Sequence, residues 1–479
     1  MDQLMMEVGA GTGFGAGSSS ESMVQLQDIL EARKALEGGY QTTAAGGGTG
    51  APLMAQSVED TLTVVTAQQG HSAFWRAFPK DTKRIRNLMH EWRKQTDMGA
   101  DVPLFSPEGA LGSELTSTFT YNYAAVKFIT HKRVVTDVMM NLNGLIGGPA
   151  LAIETQNAAT VMSRVANNGL FWGDASVNPY AFDGIKKVCE DHSRVFDCEG
   201  GVLDTEALMD AAVAMTVPPY FGSPDQIWMA PECGLDLNKM QLTNIRYDGY
   251  RNGDITLGKK AVALLAPVPG RNGIDDEGGE IGFKRDVYLS PEYKKLLVTV
   301  AMGETSPAAP TAGVAFAAGA PGVGVTSKFK ATDAGDYVYS VKAVGLKGKS
   351  AVLNSATITV AAGQAGTVTI ANPGTTDVLY YELYRSEKNG TTKYLISETT
   401  KGVTTTLITD ANAYRANTSW AFLFESGKEC KEWKQIVDMF VKPLAQTDFR
   451  LPVGYGLFGM PIFKKFERIY ALKNIGRAV

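Results

Sequence analysis

The sequence has few of the side chains that metal and redox chemistry use. Its 479 residues include only four cysteines and four histidines. Cys189, Cys198, Cys233 and Cys430 form no C-x-x-C pair, and no zinc-ligand spacing is present. So few cysteines in a long chain predict free thiols in a reducing compartment rather than a disulfide framework. We therefore predict no metal site and no cofactor.

Motifs that carry catalysis are also missing. The chain contains no G-x-S-x-G, H-E-x-x-H or calcium-loop pattern. Gly345–Ser350 reads G-L-K-G-K-S, but a phosphate loop needs a glycine where Ala343 stands and a following helix. The acidic loop Asn272–Glu280 is more typical of a solvated loop than of a cation site. We predict no catalytic, cofactor-binding or metal-binding residue and no enzyme activity, with an enzyme of unrecognised site as an alternative.

Charge and hydropathy exclude further classes. The net charge of −4 lacks the basic excess of a dedicated nucleic-acid binder. The longest uncharged run, Ser350–Thr376, is too polar for a membrane helix. No Lys or Arg precedes Arg33, so a secretory signal is not expected. A local basic cluster is either a solvated face or a contact for phosphate or a partner. It consists of Lys80, Lys83, Arg84, Arg86, Arg93 and Lys94.

Residues 1–60 form a low-complexity arm that contains one predicted helix. Gly9–Ser20 and Thr42–Gly50 are rich in glycine and predict flexible segments. Ser22 and Gln25 form a capping box, which predicts a helix from there to about Glu37. Such an arm buries too little to fold alone, so we expect it to become ordered only against a partner or another copy.

Two extended elements follow a packed segment, Val58–Thr96, which contains Phe74, Trp75 and Phe78. Leu115–Val135 alternates apolar and polar residues and predicts a long hairpin or extended loop. Pro149–Asn168 then predicts a long helix that stops at Gly169. Its apolar positions recur at helical spacing. They are Leu151, Ala158, Met162 and Val165, with Ala159, Val161 and Ala166 beside them.

The next stretch mixes helices and strands. Asp204 is placed to cap a helix over Thr205–Thr216, and Gln226–Met229 predicts a buried strand. Pro231–Met240 predicts a turn and short helix, and Ile255–Val300 predicts further strands. The pattern is typical of an α+β fold.

The composition changes sharply between Met302 and Trp420, where the chain has no Met, Trp, Cys or His. A linker, Thr305–Gly313, precedes a series of short predicted strands. These strands are Tyr337–Val344, Ala356–Val360, Thr367–Ile370, Val378–Arg385, Lys393–Glu398 and Thr404–Thr409. Tyr337, Tyr339, Val341 and Ala343 share one face. We predict a β-sandwich over residues 305–416.

The chain after the sandwich returns to the earlier composition. Trp433, Ile436, Val437 and Phe440 have helical spacing and predict an amphipathic helix that ends near Pro443. Phe449–Phe463 and Phe466–Leu472 have strand character. The sandwich is therefore predicted to be inserted into one parent domain, residues 61–304 and 417–479.

The order of these parts resembles the HK97-like major capsid proteins of tailed bacteriophages. The strongest similarity lies in residues 167–185, where N-N-G-L-F-W-G-D is followed by F-D-G-I. The resemblance implies an N-arm at 1–60, an E-loop at about 108–136 and a spine helix at about 149–168. It also implies an axial domain at about 200–300 and a return to the peripheral sheet at Phe449–Leu472.

Residues 305–416 resemble immunoglobulin-like or fibronectin type III modules. D-Y-V-Y-S-V-K-A-V-G-L-K-G-K-S and Y-Y-E-L-Y-R-S-E carry this likeness. Phage structural proteins often carry such modules, and here it would project from the outer surface of a shell.

The resemblance implies a subunit that self-assembles into an icosahedral shell around phage double-stranded DNA. Its extended elements would gain stability by lying across neighbouring copies. Implied partners are other copies in hexamers and pentamers, a scaffold, an assembly protease, a portal, decoration proteins and weakly bound DNA, but no membrane. The implied location is the virion, assembled in the cytoplasm of a host bacterium. Cross-linking between subunits is not implied, because no matching Lys, Asn and Glu were found.

Two other functions fit the same sequence. One is an encapsulin-like compartment that encloses protein cargo. The other is a tail or adhesion protein that binds carbohydrate through the sandwich.

Overall fold

The computed structural model describes residues 68–81, 83–99, 107–109, 114–141, 149–237, 239, 281–296, 307, 314–372, 377–446 and 448–477. All of them belong to one compact unit, Val64–Val479. The predicted arm and its helix lie outside the described residues, as does the acidic loop Asn272–Glu280.

Helices form a minor part of the described chain, and strands dominate it. The helices are α1 (Ala73–Ala77), α2 (Asp137–Asn141), α3 (Ala150–Trp172), α4 (Ile185–Asp191) and α5 (Thr205–Thr216). Residues 231–237 are also helical, and 3-10 turns lie at Gln69–His71, Val287–Leu289, Pro291–Lys294 and Phe466–Arg468. None of the described helices combines the length and apolar character needed to cross a membrane.

The strands fall into three groups along the chain. The first group is β1 (Met89–Asp97), β2 (Thr118–Ala125), β3 (Lys127–Thr136), β4 (Val195–Asp197), β5 (Gln226–Met229) and β6 (Gly282–Arg285). The second is β7 (Val314–Gly319), β8 (Gly335–Gly345), β9 (Gly348–Lys349), β10 (Leu353–Val360), β11 (Ala365–Ala371), β12 (Val378–Ser386), β13 (Lys393–Thr400) and β14 (Thr405–Asp410). The third is β15 (Ser419–Phe424), β16 (Lys431–Pro443), β17 (Arg450–Phe463) and β18 (Ile469–Ile475). The predicted α+β class is confirmed.

A mixed five-stranded sheet with the order β4-β18-β15-β5-β6 forms the centre of the body. Helix α3 packs on it through aromatic side chains. The Phe171 ring lies 4.4 Å from that of Phe74 and 5.6 Å from that of Phe422. Because β5 and β15 come from opposite sides of the composition change, the body core is built from both parts of the chain.

Helix α3 is longer than predicted, since it continues through Gly169 to Trp172. The predicted stop at Gly169 is wrong. A side chain at this position would begin 2.7 Å from the Phe182 ring, so the glycine allows close packing inside the helix. The helix ends before Gly173, whose oxygen accepts a 2.8 Å hydrogen bond from Gly184 N.

The buried face of α3 also differs from the predicted stripe at one position. Val165 is 45% exposed, whereas the polar Asn167 is fully buried. Asn167 accepts a 2.7 Å hydrogen bond from Trp75 N, and its amide donates to Asp286. The buried amide therefore joins α1 to α3, a task that an apolar residue could not perform.

A second sheet, with the order β16-β17-β3, is long and has three strands. Val453, Tyr455 and Leu457 of β17 point to the inner face, under α3, and the Tyr455 hydroxyl lies 3.0 Å from Thr155 Oγ1. Gly454, Gly456 and Phe458 alternate with them on the outer face. We call these the inner and outer faces of the long sheet.

The helix predicted over Trp433 to Phe440 is wrong, because this segment is strand β16. Two irregularities in its pairing with β17 lie between Gln435 and Val437 and between Val437 and Phe440. Each extra residue at such a bulge changes the period-2 alternation into a spacing of three or four residues. The apolar residues of β16 therefore have the spacing of an amphipathic helix although the segment is a strand.

Strands β7 to β14 form two further sheets that share one core. The sheet β10-β8-β12-β13 also holds β9, and the other sheet is β14-β11-β7. Tyr337, Tyr339, Val341 and Ala343 of β8 are buried against Val368 and Ile408, as predicted. All six predicted strands are confirmed, and β7 and the two-residue β9 were missed. We call residues 314–410 the two-sheet unit.

The two-sheet unit lies broadly against the body. Thr400 Oγ1 donates a 2.8 Å hydrogen bond to Ser176 O, and Leu296 N donates one of 2.8 Å to Lys393 O. On another side, Arg415 forms an ion pair of 2.8 Å with Asp333. The unit is therefore a fixed part of the molecule and not a module that projects on its linkers alone.

Candidate interaction surface

Among the described residues, no group of three or more His, Cys, Asp or Glu is placed to hold a metal. All four cysteines are free thiols, as predicted. Burial raises the pKa of Cys233 and Cys430 to about 11 and that of Cys198 to about 12. These thiols therefore stay protonated at neutral pH and are poor nucleophiles.

The most prominent surface feature is an antiparallel pair of strands, β1 and β2, which we call the ribbon. Strands were expected over Leu115–Val135, but a hairpin within this range is wrong. β2 pairs with β1, whereas β3 pairs with β17. Val126, only 5% exposed, separates β2 from β3 at the point where the chain passes from the ribbon to the long sheet.

One face of the ribbon is exposed and aromatic. Phe119, Tyr121 and Tyr123 are 68%, 70% and 67% exposed. Residues directly opposite one another in an antiparallel pair share a face. Tyr121 therefore lies beside Arg93, and Tyr123 beside Glu91. This face combines three large rings with charged neighbours, and no described part of the chain covers the rings.

The other face of the ribbon is held by the chain itself. Trp92 and Ala124 pack against the cluster that contains Met460 and Ile462. Lys94 forms an ion pair with Glu467, and its Nζ lies 4.1 Å from the centre of the Phe466 ring. The base of the ribbon is therefore anchored, and only the aromatic face remains for a neighbouring molecule.

A second exposed apolar surface lies at the other end of the long sheet. β17 has 14 residues, so its ends are roughly 40 Å apart at about 3.3 Å per residue. Phe463 is at the ribbon end, whereas Phe449, 85% exposed, precedes the far end. We call this surface the distal patch. It comprises Val138, Met139, Met140, Val441, Leu444 and Phe449.

A buried group of charges lies where the two-sheet unit meets the body, and we call this place the joint. Lys294 Nζ is 3.2 Å from the centre of the Trp172 ring, and burial lowers the pKa of Lys294 well below its usual value. Burial, together with the nearby Glu382, raises the pKa of Glu398 to about 6. The Tyr414 hydroxyl donates a 2.6 Å hydrogen bond to Glu190. Burial at the joint therefore disfavours the charged forms of both Lys294 and Glu398.

The predicted basic cluster is divided in the structure. Lys80 lies 4.3 Å from the centre of the Trp75 ring, Arg84 pairs with Asp438 at 3.2 Å, and Lys94 anchors the ribbon. Lys83, Arg86 and Arg93 are exposed. Half of the cluster therefore serves the fold. The sequence of the cluster could not predict the role of Lys94, because its partner Glu467 lies 373 positions away in the chain.

No protein-family model and no curated protein matches the chain. Among solved structures, it is similar to the capsid of Myoviridae phage XM1, with 8% identity over 90% of this chain and 99% of that chain and a TM-score of 0.42. It is also similar to the capsid of a native GTA particle, with 10% identity, 91% and 100% coverage and a TM-score of 0.42. An encapsulin complex from Synechococcus elongatus PCC 7942 shows 6% identity, 89% and 94% coverage and a TM-score of 0.40. Because these TM-scores are below 0.5, the function proposed below rests on the geometry of the chain.

Proposed function

We propose that this protein is a structural subunit that assembles with copies of itself into a closed shell, as a major capsid protein of the HK97-like kind. The observation that carries the proposal is the ribbon, which is anchored on one face and uncovered on an aromatic face. A large exposed apolar surface on a folded protein marks a site of interaction.

The energy available at this face is substantial. An aromatic side chain has an area of roughly 150–250 Å². Phe119, Tyr121 and Tyr123 each leave about two thirds exposed. Covering one of these rings at ~25 cal/mol per Å² then contributes about 3 kcal/mol. Burial against another subunit therefore offsets a large part of the entropy lost on association.

The position of the two apolar surfaces favours a contact between different surfaces of two copies. The aromatic face of the ribbon and the distal patch lie at opposite ends of the long sheet and are built from different residues. A contact between two different surfaces is heterologous, and it forms rings when the rotation closes. We propose that the ribbon of one subunit lies on the neighbouring subunit in this way.

The finer assignments follow from the same proposal. Within the E-loop implied at about 108–136, the part that fits the proposal is β2, paired with β1 in the ribbon. The spine helix corresponds to α3, and the peripheral sheet to the long sheet. The axial domain includes α5, β5 and residues to about 300. The parent domain comprises residues 61–304 and 417–479, and the arm at 1–60 contacts neighbouring copies.

We further propose that residues 305–416 form an immunoglobulin-like sandwich on the outer surface. Glu382 and Lys342 of its larger sheet point away from the core of the unit and are nevertheless buried, at 2% and 4% exposure. The smaller sheet, β14-β11-β7, therefore supplies the outward face. Removing the whole unit would uncover Trp172, which lines a cavity with Ser397 and Glu398, so deletion is a poor test of its role.

Electron microscopy of the purified full-length protein tests the proposal. We expect hollow particles tens of nanometres across, formed alone or with a scaffold and assembly protease supplied. A monomer that persists at high concentration under both conditions would contradict a shell function. Double-stranded DNA in particles from the native source would support a phage capsid, located in the virion. Protein cargo would support a compartment instead.

A further inference from the structure

We propose that a groove beside β2 binds one extended segment of a neighbouring copy, Leu62–Thr66, as a third strand of the ribbon. This inference rests on the proposed shell function, because it names a segment by which one copy holds the next. We call the site the strand groove. Its volume is about 490 Å³, within the range of roughly 300–1,000 Å³ that is typical of ligand pockets.

Besides its two faces, the ribbon has an open edge. β2 pairs with β1 along one edge, and no other described strand pairs with it. In an antiparallel pair, every second residue directs its N–H and C=O away from the partner strand. Among the described residues, none forms a backbone hydrogen bond with this second edge between Tyr121 and Ala125. An added strand can therefore pair with it.

The strand groove runs along this open edge. Its wall includes five consecutive residues of β2, Tyr121–Ala125, but only Met89 and Trp92 of β1. Consecutive residues point to opposite faces of a strand, so a space that contacts all five lies beside β2 and not above one face. At about 3.3 Å per residue, this part of the edge is roughly 16 Å long, which accommodates a strand of five residues.

The side of the strand groove opposite β2 is apolar and belongs to the body. It is formed by Phe182, Val188, Met460, Phe463 and Phe466. Phe182, Met460 and Phe463 are at most 7% exposed, so the packing of the body holds this surface in place. One set of alternate side chains of an added strand points onto it. The groove therefore favours apolar residues at every second position.

One buried polar group in the strand groove has no partner. Trp92 lines the groove, and its Nε1 is buried without a hydrogen bond to any described residue. Such a group costs free energy unless an acceptor reaches it. A strand in the groove brings carbonyl oxygens, whereas a purely apolar ligand would leave the indole N–H unsatisfied. The occupant that fits is therefore a peptide.

The strand groove admits a single strand and not the edge of a folded sheet, because β2 and the body close its two sides. A neighbouring copy therefore has to supply a segment that lies outside its own sheets. The chain has 67 residues before Gln68, the first residue that the structure describes. They are long enough to extend to another copy.

Leu62–Thr66 has the composition that the strand groove requires. Residues 61–66 read T-L-T-V-V-T, without glycine, proline or charge. Five of these six residues are β-branched, which favours a strand. Leu62, Val64 and Thr66 share one face of such a strand, so Leu62 and Val64 meet the apolar side of the groove.

The direction of α1 favours a segment from another copy over the chain's own. The end of α1 lies near the strand groove, because the Phe78 ring is 6.3 Å from that of Phe463. Its first turn donates a hydrogen bond to Asp286, which bonds to α3. The chain therefore arrives from the end of α1 that is remote from the groove. The step from Gln68 to Thr66 covers at most about 7 Å, so the segment meets a neighbour's groove.

Disulfide trapping between two full-length proteins tests the contact. One carries Asn122→Cys in the strand groove, and the other carries Leu62→Cys, Val64→Cys or Thr66→Cys, three positions that cover shifts of register. Three of the four native cysteines are buried, so the background is low. After mixing and oxidation, we expect a cross-linked dimer on a non-reducing gel with at least one of the three. Thr49→Cys, in the glycine-rich part of the arm, is the matched control and should give none.

Two results would overturn the inference. One is the absence of a cross-linked dimer with all three positions. The other is a cross-link within one chain, instead of between chains, in the double variant Asn122→Cys with Val64→Cys. That result would assign the groove to the chain's own segment.

Binding of a fluorescent peptide, residues 59–67, to the soluble, unassembled full-length protein is a second test that needs no shell. Ala175→Phe narrows the strand groove and should weaken binding by about tenfold or more. Ala315→Phe, at an exposed position of β7, is the matched control and should leave the affinity unchanged. Equal affinities of the two variants would contradict the assigned site.

Electron microscopy of the same proteins keeps the two proposals apart. Particles that form without a cross-link or peptide binding refute only the strand groove. Peptide binding that Ala175→Phe weakens, without particles under any condition, refutes only the shell.

Discussion

The replacement Glu398→Gln is expected to stabilise the protein at alkaline pH and not at acidic pH. Glu398 lies on β13 in the joint, where burial and the neighbouring Glu382 raise its pKa from 4.5 to about 6. Lys186, Lys349 and Lys294 oppose this shift without cancelling it. The folded state therefore holds the carboxyl proton more tightly than the unfolded state does.

The sign and size of the effect follow from this raised pKa. Because the folded-state pKa is the higher one, no cost is present below pH 4.5, and the cost grows as the pH rises to about 6. One pKa unit corresponds to about 1.4 kcal/mol, so the full cost above pH 7 is about 2 kcal/mol. Screening at this partly exposed side chain reduces it to about 1–2 kcal/mol.

Urea unfolding at pH 5 and pH 8, followed by tryptophan fluorescence, measures the effect. We expect the free energy of unfolding of the variant, relative to wild type, to increase by about 1–2 kcal/mol between these two pH values. Glu91→Gln, at an exposed carboxylate, is the matched control and should show no such change. A variant with the same stability difference at both pH values would refute the reasoning.

Three further predictions concern the ribbon and the body. Tyr121→Ser removes a ring that is 70% exposed and should raise the protein concentration needed for assembly at least tenfold, measured by light scattering. Gly173→Ala places a methyl group 2.2 Å from Phe182 O and should lower the free energy of unfolding by more than about 2 kcal/mol in urea. Asp204→Ala removes the side chain that accepts a 2.8 Å hydrogen bond from Ala207 N, so thermal unfolding should show a loss of about 1 kcal/mol.

Each of these variants has a control in the chain. Leu407→Ser changes an exposed residue of the two-sheet unit and should leave assembly unchanged, so an equal effect would argue against the ribbon. Gly322→Ala meets no atom within 4 Å and should be tolerated, and equal losses would exclude the steric cause. Asp204→Asn should retain the cap, and a loss as large as that of Asp204→Ala would contradict capping.

Local patterns predicted the elements that depend on local chemistry. Asp204 and the strands of the two-sheet unit were found because capping and period-2 alternation lie within a few residues of chain. The aromatic residues of β2 were recognised as a strand for the same reason. Their partner strand β1 was not, because pairing across more than 20 residues leaves no local signal.

The failures have a common physical origin in tertiary contacts. Bulges in β16 gave Trp433 and Phe440 the spacing of a helix, and the close packing of Phe182 on Gly169 looked like a helix stop. No local sequence pattern predicted the burial of Glu398 and Lys294, because it depends on the contact between the two-sheet unit and the body. Anchoring of the ribbon by Lys94 was hidden for the same reason.

The two body sheets take their middle strands, β15 and β17, from residues 419–463. On the ribosome, β3 and β5 therefore emerge long before the strands that complete them. At about 5–20 residues per second, the intervening two-sheet unit is synthesised first and has all of its own strands available. A nascent chain of this length therefore contains a complete two-sheet unit, whereas both body sheets still lack their middle strands. The edges of the body strands are unpaired at this stage and need protection by a chaperone.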